Sequence, residues 1–450
     1  MTDFRKEYDQ KLVRPEEAVK LVQSGDWVDY AHSTSVPVLL DRALAARAEE
    51  LEDVNIRGYL VYHPLAIFEA NDRVGRRVFT FNSWHFGGIE RKQVEKGYAF
   101  FIPMRYCELP EMYRRKEDIE RVDVLMLQTA KMDAFGNFNL GPANSQTMEV
   151  VRRAKHIIVE ENENIPYVLG LYDESIPLSK VDAIVSSREP VDVLGNAKPS
   201  EIDRKIAELV LKEIPDGATL QLGIGGMPNA VGELISQSDL KDLGVHTEMY
   251  VDSMMKMTQA GIITGQKKSR DRGKQVFAFG AGSKELYEFM DHNPVFASAP
   301  VDYVNSPQVI ASFDNFISIN NAIELDLYGQ INGESSGTRQ ISGTGGQLDF
   351  VIGAYHSHGG KSIMALSATF TNKKGETKSR ILPTLKEGSI VTDPRTTAHY
   401  VATEYGIVNL RGKSTWQRAE ALISIAHPDF RDQLIQEAEK MHIWRKSNQR

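Results

Sequence analysis

The chain has a single cysteine, Cys107, in 450 residues. An internal disulfide is excluded, and so is any metal site built from a cysteine cluster. No uninterrupted apolar run is long enough to cross a bilayer. The formal net charge is −8 with no long basic block, which argues against a nucleic-acid or membrane-surface partner. The opening "MTDFRKEYDQ" is charged and lacks the apolar core of a secretion signal. His356 and His358 in "HSHGG" are too close together to read as a metal-ligand pattern, so no metal is expected. These absences together lead to the expectation of a reducing, cytoplasmic setting.

What is present is ordinary for a soluble globular protein: 41% hydrophobic and 25% charged residues. The length exceeds one ordinary core, so two domains are expected. Short apolar runs alternate with amphipathic stretches. "VDVLMLQTA", "HIIVEEN", "ATLQLGI", "SIMALSATF" and "GSIVT" read as buried strands. "RPEEAVKLVQSG", "SEIDRKIAELVLKEI" and "STWQRAEALISIA" read as helices. The alternation predicts an α/β fold with largely parallel sheets. A weak repeat supports two related halves. Helix, Gly25, strand, turn and Pro37 in the first half match helix, Gly217, strand, turn and Pro228 in the second; the Gly-to-Pro intervals are 12 and 11. The turn-rich "SSREPVDVLGNAKPSE" marks the boundary, giving domains 1–192 and 193–450.

The stretch "QLGIGGMPNAVGEL" carries the chemistry of the second half. Gly223, Gly225 and Gly226 follow an apolar strand, and Pro228 suits the first turn of a helix. Such a turn offers unpaired N–H groups at the positive end of a helix dipole. It can bind a phosphate, or stabilise an oxyanion formed during acyl transfer; a tight turn without a ligand is the plain alternative. In "GVHTEMYVDSMM", alternation puts His246, Glu248, Tyr250 and Asp252 on one strand face and Val245, Thr247, Met249 and Val251 on the other. Glu248 follows Gly223 by 25 positions and Pro228 by 20, which places it on the next strand of a βα unit. A second carboxylate candidate, Glu334, lies in a glycine-dense stretch with Gly343, Gly345 and Gly346. Trp84 and His85 in "NSWHFGG" could wall a small acyl pocket, although a packed core aromatic is the commoner reading.

Two enzyme classes compete for these residues. Gly223 and Gly225 with an acid downstream partly match the dinucleotide fingerprint of a nicotinamide-dependent dehydrogenase. Its third glycine, needed for close helix–strand packing, is Pro228 here. The other class is acyl transfer through a carboxylate nucleophile. A glutamate titrates near 4.3 in model peptides, so such a nucleophile needs no general base. A non-catalytic CoA-binding sensor is a third reading, weakened by the lack of an appended DNA-binding segment.

In this order along the chain, "GIGGMPNAV", "HTEMYVD", "YGQINGES", "ISGTGGQLDF", "VATEYGIVNLRG" and "RAEALISIAHPDFR" resemble the acetyl-CoA hydrolase/transferase group of class I CoA-transferases. The resemblance covers essentially the whole chain. It implies two related open-sheet α/β domains and Glu248 as a nucleophile that becomes a glutamyl-CoA thioester. It implies CoA or oxyanion contacts from Gly225, Gly226, Met227, Pro228 and Asn229, and from Ile323, Gly329 and Gly346. Gly333 departs mildly from the family's "AES", and relatives lacking an acid at Glu334 favour Glu248. The implied activity is ping-pong exchange of CoA between a short-chain acyl-CoA, butyryl-CoA foremost, and acetate. Alternatives are 4-hydroxybutyryl or other short-chain transfer, and acyl-CoA hydrolysis. CoA enters as substrate, no cofactor is implied, and a homo-oligomer is expected.

Overall fold

Val124–Thr129 and His156–Asn162 each open on an apolar run and are buried at nearly every position, the pattern of strands covered on both faces. In the computed structural model, which describes residues 4–119, 121–195 and 198–445, they lie at the centre of a parallel sheet. The first three residues of the chain and residues 196–197 of the boundary stretch fall outside the described residues. The first sheet comprises β1 (Trp27–His32), β2 (Val54–Tyr59), β3 (Phe79–Ser83), β4 (Ala99–Phe101), β5 (Val124–Thr129), β6 (His156–Asn162) and β7 (Ala183–Ser187). Their order is β4-β3-β2-β1-β5-β6-β7, and every neighbouring pair is parallel.

The second sheet comprises β8 (Thr219–Leu222), β9 (Gly244–Tyr250), β10 (Gln275–Gly280), β11 (Phe296–Ser298), β12 (Phe316–Asn321), β13 (Lys361–Ala365), β14 (Tyr400–Thr403) and β15 (Gly406–Asn409). Its order is β11-β10-β9-β8-β12-β13-β14-β15. Counted from its own first strand, it repeats the winding of the first sheet and adds β15 antiparallel at the edge. β8 is parallel to both β9 and β12. The expected α/β class, with two related open sheets, is what the chain adopts.

Spatial proximity sorts the described chain into two compact units. The first takes residues up to Gly195 with Glu248–Tyr250 and Val276–Val304. The second takes residues up to Thr247 with Val251–Gln275 and those from Asn305 onward. The first core packs Val28, Tyr30, Ile56, Phe79, Phe81 and Met126. In the second unit Leu325, Ile381, Val401, Leu422 and Leu434 form one cluster.

Local chemistry sets the element ends. Ser200 Oγ accepts from Asp203 N at 3.1 Å while Asp203 Oδ2 accepts from Ser200 N at 2.8 Å. This reciprocal cap starts the expected helix at Glu201. Two expectations are corrected. "GSIVT" is not a strand: Ile390 and Val391 are exposed, Ile390 N donates to Ser335 Oγ, and only Asp393 bridges Ile331. "RPEEAVKLVQSG" is only a single helical turn, Pro15–Ala18, tightening to 3₁₀ over Val19–Leu21.

Candidate functional site

The described residues group the candidate side chains into three local constellations. The first surrounds Glu248, in the first unit. β9 runs Gly244–Tyr250, and Glu248 is its one residue that is not buried. Tyr106, at the start of a short 3₁₀ turn, lies in the electrostatic field of Glu248. Burial, and then that charge, raises the Tyr106 hydroxyl far above its ordinary titration range. Tyr106 is therefore a protonated hydroxyl at neutral pH. It bonds Ser145 Oγ, and its oxygen stands 2.6 Å from Tyr59 Oη. Tyr59 donates in turn to Gln146 Oε1 at 2.6 Å. The chain of hydroxyls is walled by rings. His32 stacks on Tyr59 with centroids 4.9 Å apart, and Phe279 meets His32 edge-on at 5.7 Å. Burial alone holds the His32 imidazole at about 3, so it is neutral.

Trp84 joins this wall. It is buried and meets Tyr59 edge-on at 5.4 Å and Tyr113 at 6.3 Å. It is thus a packed aromatic, and the face it gives to the cluster is the ring that leads to Tyr106. His85, beside it, has its pKa lowered to about 4 by burial and by Arg91. Tyr59, Tyr106, Ser145 and Gln146 were not singled out from sequence. They come from three separate stretches of the chain and share no periodic signal.

The second constellation is the glycine turn, in the second unit. Gly223 N donates to Ile319 O at 2.8 Å, tying the end of β8 to β12. Gly225 caps the helix Gly226–Ser236 with φ +120°, a conformation closed to side chains. Gly226, Met227 and Pro228 form its first turn, where N–H groups have no carbonyl one turn back. Asn229 N already bonds Gly225 O at 3.1 Å. Asn321 Nδ2 donates to Ile224 O at 3.0 Å, pinning the turn from β12. Beneath it Gln221 and Asn320 exchange paired amide bonds, both at 3.1 Å. Ile323 follows Asn321 by two residues and bonds Asn332 O through its N–H. These contacts bring Ile323 and the turn to the same end of β8 and β12.

The third constellation is the loop before the helix Gln347–His356, which Gly346 caps. Glu334 lies beneath this loop, buried, and accepts from three neutral donors: Thr344, Thr392 and Gln340, each at 3.0 Å. Such a carboxylate is an anchor and not a free nucleophile. Gly329 has other company. It turns with φ +86°, and a Cβ there would meet Arg418 Nη1 at 3.0 Å and Leu410 at 3.3 Å.

Among the described residues no cluster of three or more His, Cys, Asp or Glu could hold a metal. Likewise no helix among them is long and apolar enough to cross a membrane.

Comparison with known proteins shows the family. Residues 1–195 match the acetyl-CoA hydrolase/transferase N-terminal domain, and residues 282–438 its C-terminal domain. A butyryl-CoA:acetate CoA-transferase of Anaerostipes caccae is 55% identical over 99% of both chains. A probable butyrate:acetyl-CoA coenzyme A-transferase of Syntrophomonas wolfei is 50% identical over 98% of both. The crystal structure of RipA from Yersinia pestis superposes with a TM-score of 0.90 at 36% identity, covering 98% of this chain and 100% of that one. The chain belongs to the acetyl-CoA hydrolase/transferase family and is a CoA-transferase.

Proposed function

We propose that this enzyme moves CoA from a short-chain acyl-CoA, butyryl-CoA foremost, to acetate, with Glu248 as nucleophile. The observation that carries the reading is Glu248 itself, the one unburied side chain on a strand otherwise closed to solvent. Similarity to transferases named for butyryl-CoA and acetate supports the substrate assignment.

A Glu248 carboxylate oxygen attacks the thioester carbonyl. The C–S bond breaks, giving an acyl-glutamyl anhydride and CoA thiolate. The thiolate attacks the glutamyl carbonyl and expels butyrate, leaving a glutamyl-CoA thioester. Acetate then attacks that thioester, forming a second anhydride and freeing the thiolate. Thiolate attack on the acetyl carbonyl yields acetyl-CoA and restores Glu248. No redox step or metal enters this scheme. We assign CoA contacts to Gly225–Asn229, Ile323 and Gly346, and oxyanion donation to the N–H groups of the glycine turn. A preorganised donor of this kind is typically worth about 2.7–4 kcal/mol of barrier. CoA retained through both half-reactions supplies binding energy remote from the reacting bond. Water must be excluded, or the anhydride hydrolyses. A cytoplasmic homo-oligomer completes the reading.

The test is direct. Enzyme exposed to butyryl-CoA and reduced with borohydride should carry its modification in the peptide containing Glu248, by mass spectrometry. A modification mapping elsewhere overturns the assignment. CoA release that proceeds equally well without acetate would make the enzyme a hydrolase. Saturable micromolar binding of NAD(H) would revive the dehydrogenase reading.

A further inference from the structure

We propose that Glu334 and Asp393 are positioning residues that hold the loop 342–346 in the shape that receives the CoA moiety. The inference rests on the CoA-transferase reading above. It starts from a polar group with no evident purpose. Asp393 is fully buried, and its Oδ1 has no hydrogen-bond partner. A buried, unsatisfied carboxylate oxygen is costly unless it serves something.

The surrounding bonds all run to the loop. Glu334 O accepts from Ile341 N at 2.8 Å and Ser342 N at 3.2 Å. Its carboxylate takes Thr344 Oγ1 and Gln340 Nε2. Asp393 Oδ2 takes Gln347 Nε2 at 2.6 Å, at the first residue of the helix that Gly346 caps. Thr392 Oγ1 joins the two acids' elements, donating to Glu334 and accepting from Gly333 N at 2.9 Å. Glu334 thus fastens the loop at its start and again at Thr344, and Asp393 fastens it after Gly346.

No lysine or arginine pairs with either acid among the described residues. Glu324, on the strand paired with Ile331–Asn332, is itself taken up by Lys386 at 2.9 Å. Burial, and then the charge of Glu334, pushes the Asp393 carboxyl up to about 7 against the pull of Gln347. Below that pH the Asp393 carboxyl holds its proton. Above it a charge forms on Asp393 beside that of Glu334 with no lysine or arginine paired to either, and their repulsion pushes apart the two elements that fasten the loop, against the bond from Gln347.

The experiment is the pH dependence of KM for butyryl-CoA, with CoA affinity measured calorimetrically as a second readout. In the unmodified enzyme KM should rise roughly fivefold or more between pH 6 and 8.5, as expected when ionisation of one group opposes binding. Asp393→Asn should flatten that rise. Thr344→Val, which removes a donor and leaves both acids, should raise KM and weaken CoA binding about fivefold with little change in kcat. Glu334→Gln should recover most of the affinity lost in Glu334→Ala, because its amide oxygen can still accept from Thr344 and Thr392. A pH profile unchanged in Asp393→Asn, or CoA affinity within twofold in Thr344→Val, overturns the proposal while leaving Glu248 in place. Loss of the Glu248 adduct in unmodified enzyme instead overturns the underlying reading.

Discussion

The first strand–turn–helix of each sheet has the same topology and opposite chemistry. After β1 the chain runs His32, Ser33, Thr34 and Ser35, all buried, into the helix Leu39–Ala46. That helix end is already capped from within. Glu160 Oε2, on β6, accepts from the N–H groups of Val38, Leu39 and Leu40 at 3.1, 2.9 and 3.1 Å. After β8 the chain runs through Gly223, Ile224 and Gly225, with Ile224 53% exposed, into the helix Gly226–Ser236. The equivalent strand there, β13, reads Lys-Ser-Ile-Met-Ala and has no acid to offer. At the first helix one carboxylate takes three N–H groups; at the second, Asp203 Oδ2 lies where a Cβ on Gly226 would meet it at 2.9 Å, yet among the described residues no hydrogen bond joins it to the N–H groups of the turn. Duplication of a fold thus need not duplicate a site. A single carboxylate on a neighbouring strand decides which copy has its first-turn N–H groups taken up from within.

The comparison breaks most visibly at Gly225. Gly225→Val forces a branched side chain into φ +120°, with its Cβ 3.0 Å from Asn321 Nδ2. The turn must rearrange, and its N–H groups lose their aim. Steady-state kinetics should show kcat/KM lower by about 100- to 1,000-fold, the range for one lost oxyanion donor. A variant with more than a tenth of normal activity would mean that the turn donates nothing to the reaction. In the first unit the matching break is Glu160→Ala. Three helix N–H groups lose their acceptor at once. Denaturant unfolding should register about 2–3 kcal/mol, near the cost of a single buried unsatisfied donor, because water reaches the rest. Unchanged stability would contradict the claim that this end is capped internally.

The sequence makes one side of this contrast legible and hides the other. Gly225 and Pro228 announce a strand-to-helix turn because each has few other uses in that order. Glu160 announces nothing. It sits in "HIIVEEN", 122 positions from Val38, and its role exists only once β6 has crossed to lie near β1. Tyr106 and Tyr59 are hidden for the same reason, meeting across 47 positions. Glu334 was legible as an unusual acid among glycines, but its three neutral donors were not, and they make it an anchor. "GSIVT" shows the converse failure. Its composition is that of a strand, yet Ser335 Oγ takes the N–H of Ile390 that a ladder would need. Local composition records what a segment can do. The partner that decides the outcome comes from elsewhere in the chain.

His32 sharpens the comparison through pH. Neither of its ring nitrogens has a hydrogen-bond partner, and burial holds its pKa at about 3, against the ordinary 6.5 of an imidazole. Below pH 6.5 the unfolded chain takes up a proton that the folded one refuses. Stability is therefore full above 6.5 and falls as pH drops toward 3. At pH 5 the loss from this one group should be about 2 kcal/mol, from 1.36 kcal/mol per unit of displacement. In His32→Phe the unfolding free energy should fall less steeply over that window; an identical slope would show that the imidazole is not sequestered.

The smallest expected effect lies one residue earlier. Ala31 and Ser33 hold φ of +54° and +52°, left-handed values that disfavour a side chain. In Ala31→Gly the relief of that strain, about 1 kcal/mol, is offset by glycine's larger unfolded-state entropy, about 0.5–1 kcal/mol. Thermal unfolding should move by no more than a degree or two, and turnover should be unchanged. A large loss of activity would mean that the internally capped turn also touches substrate, and the division of labour between the two turns would fail.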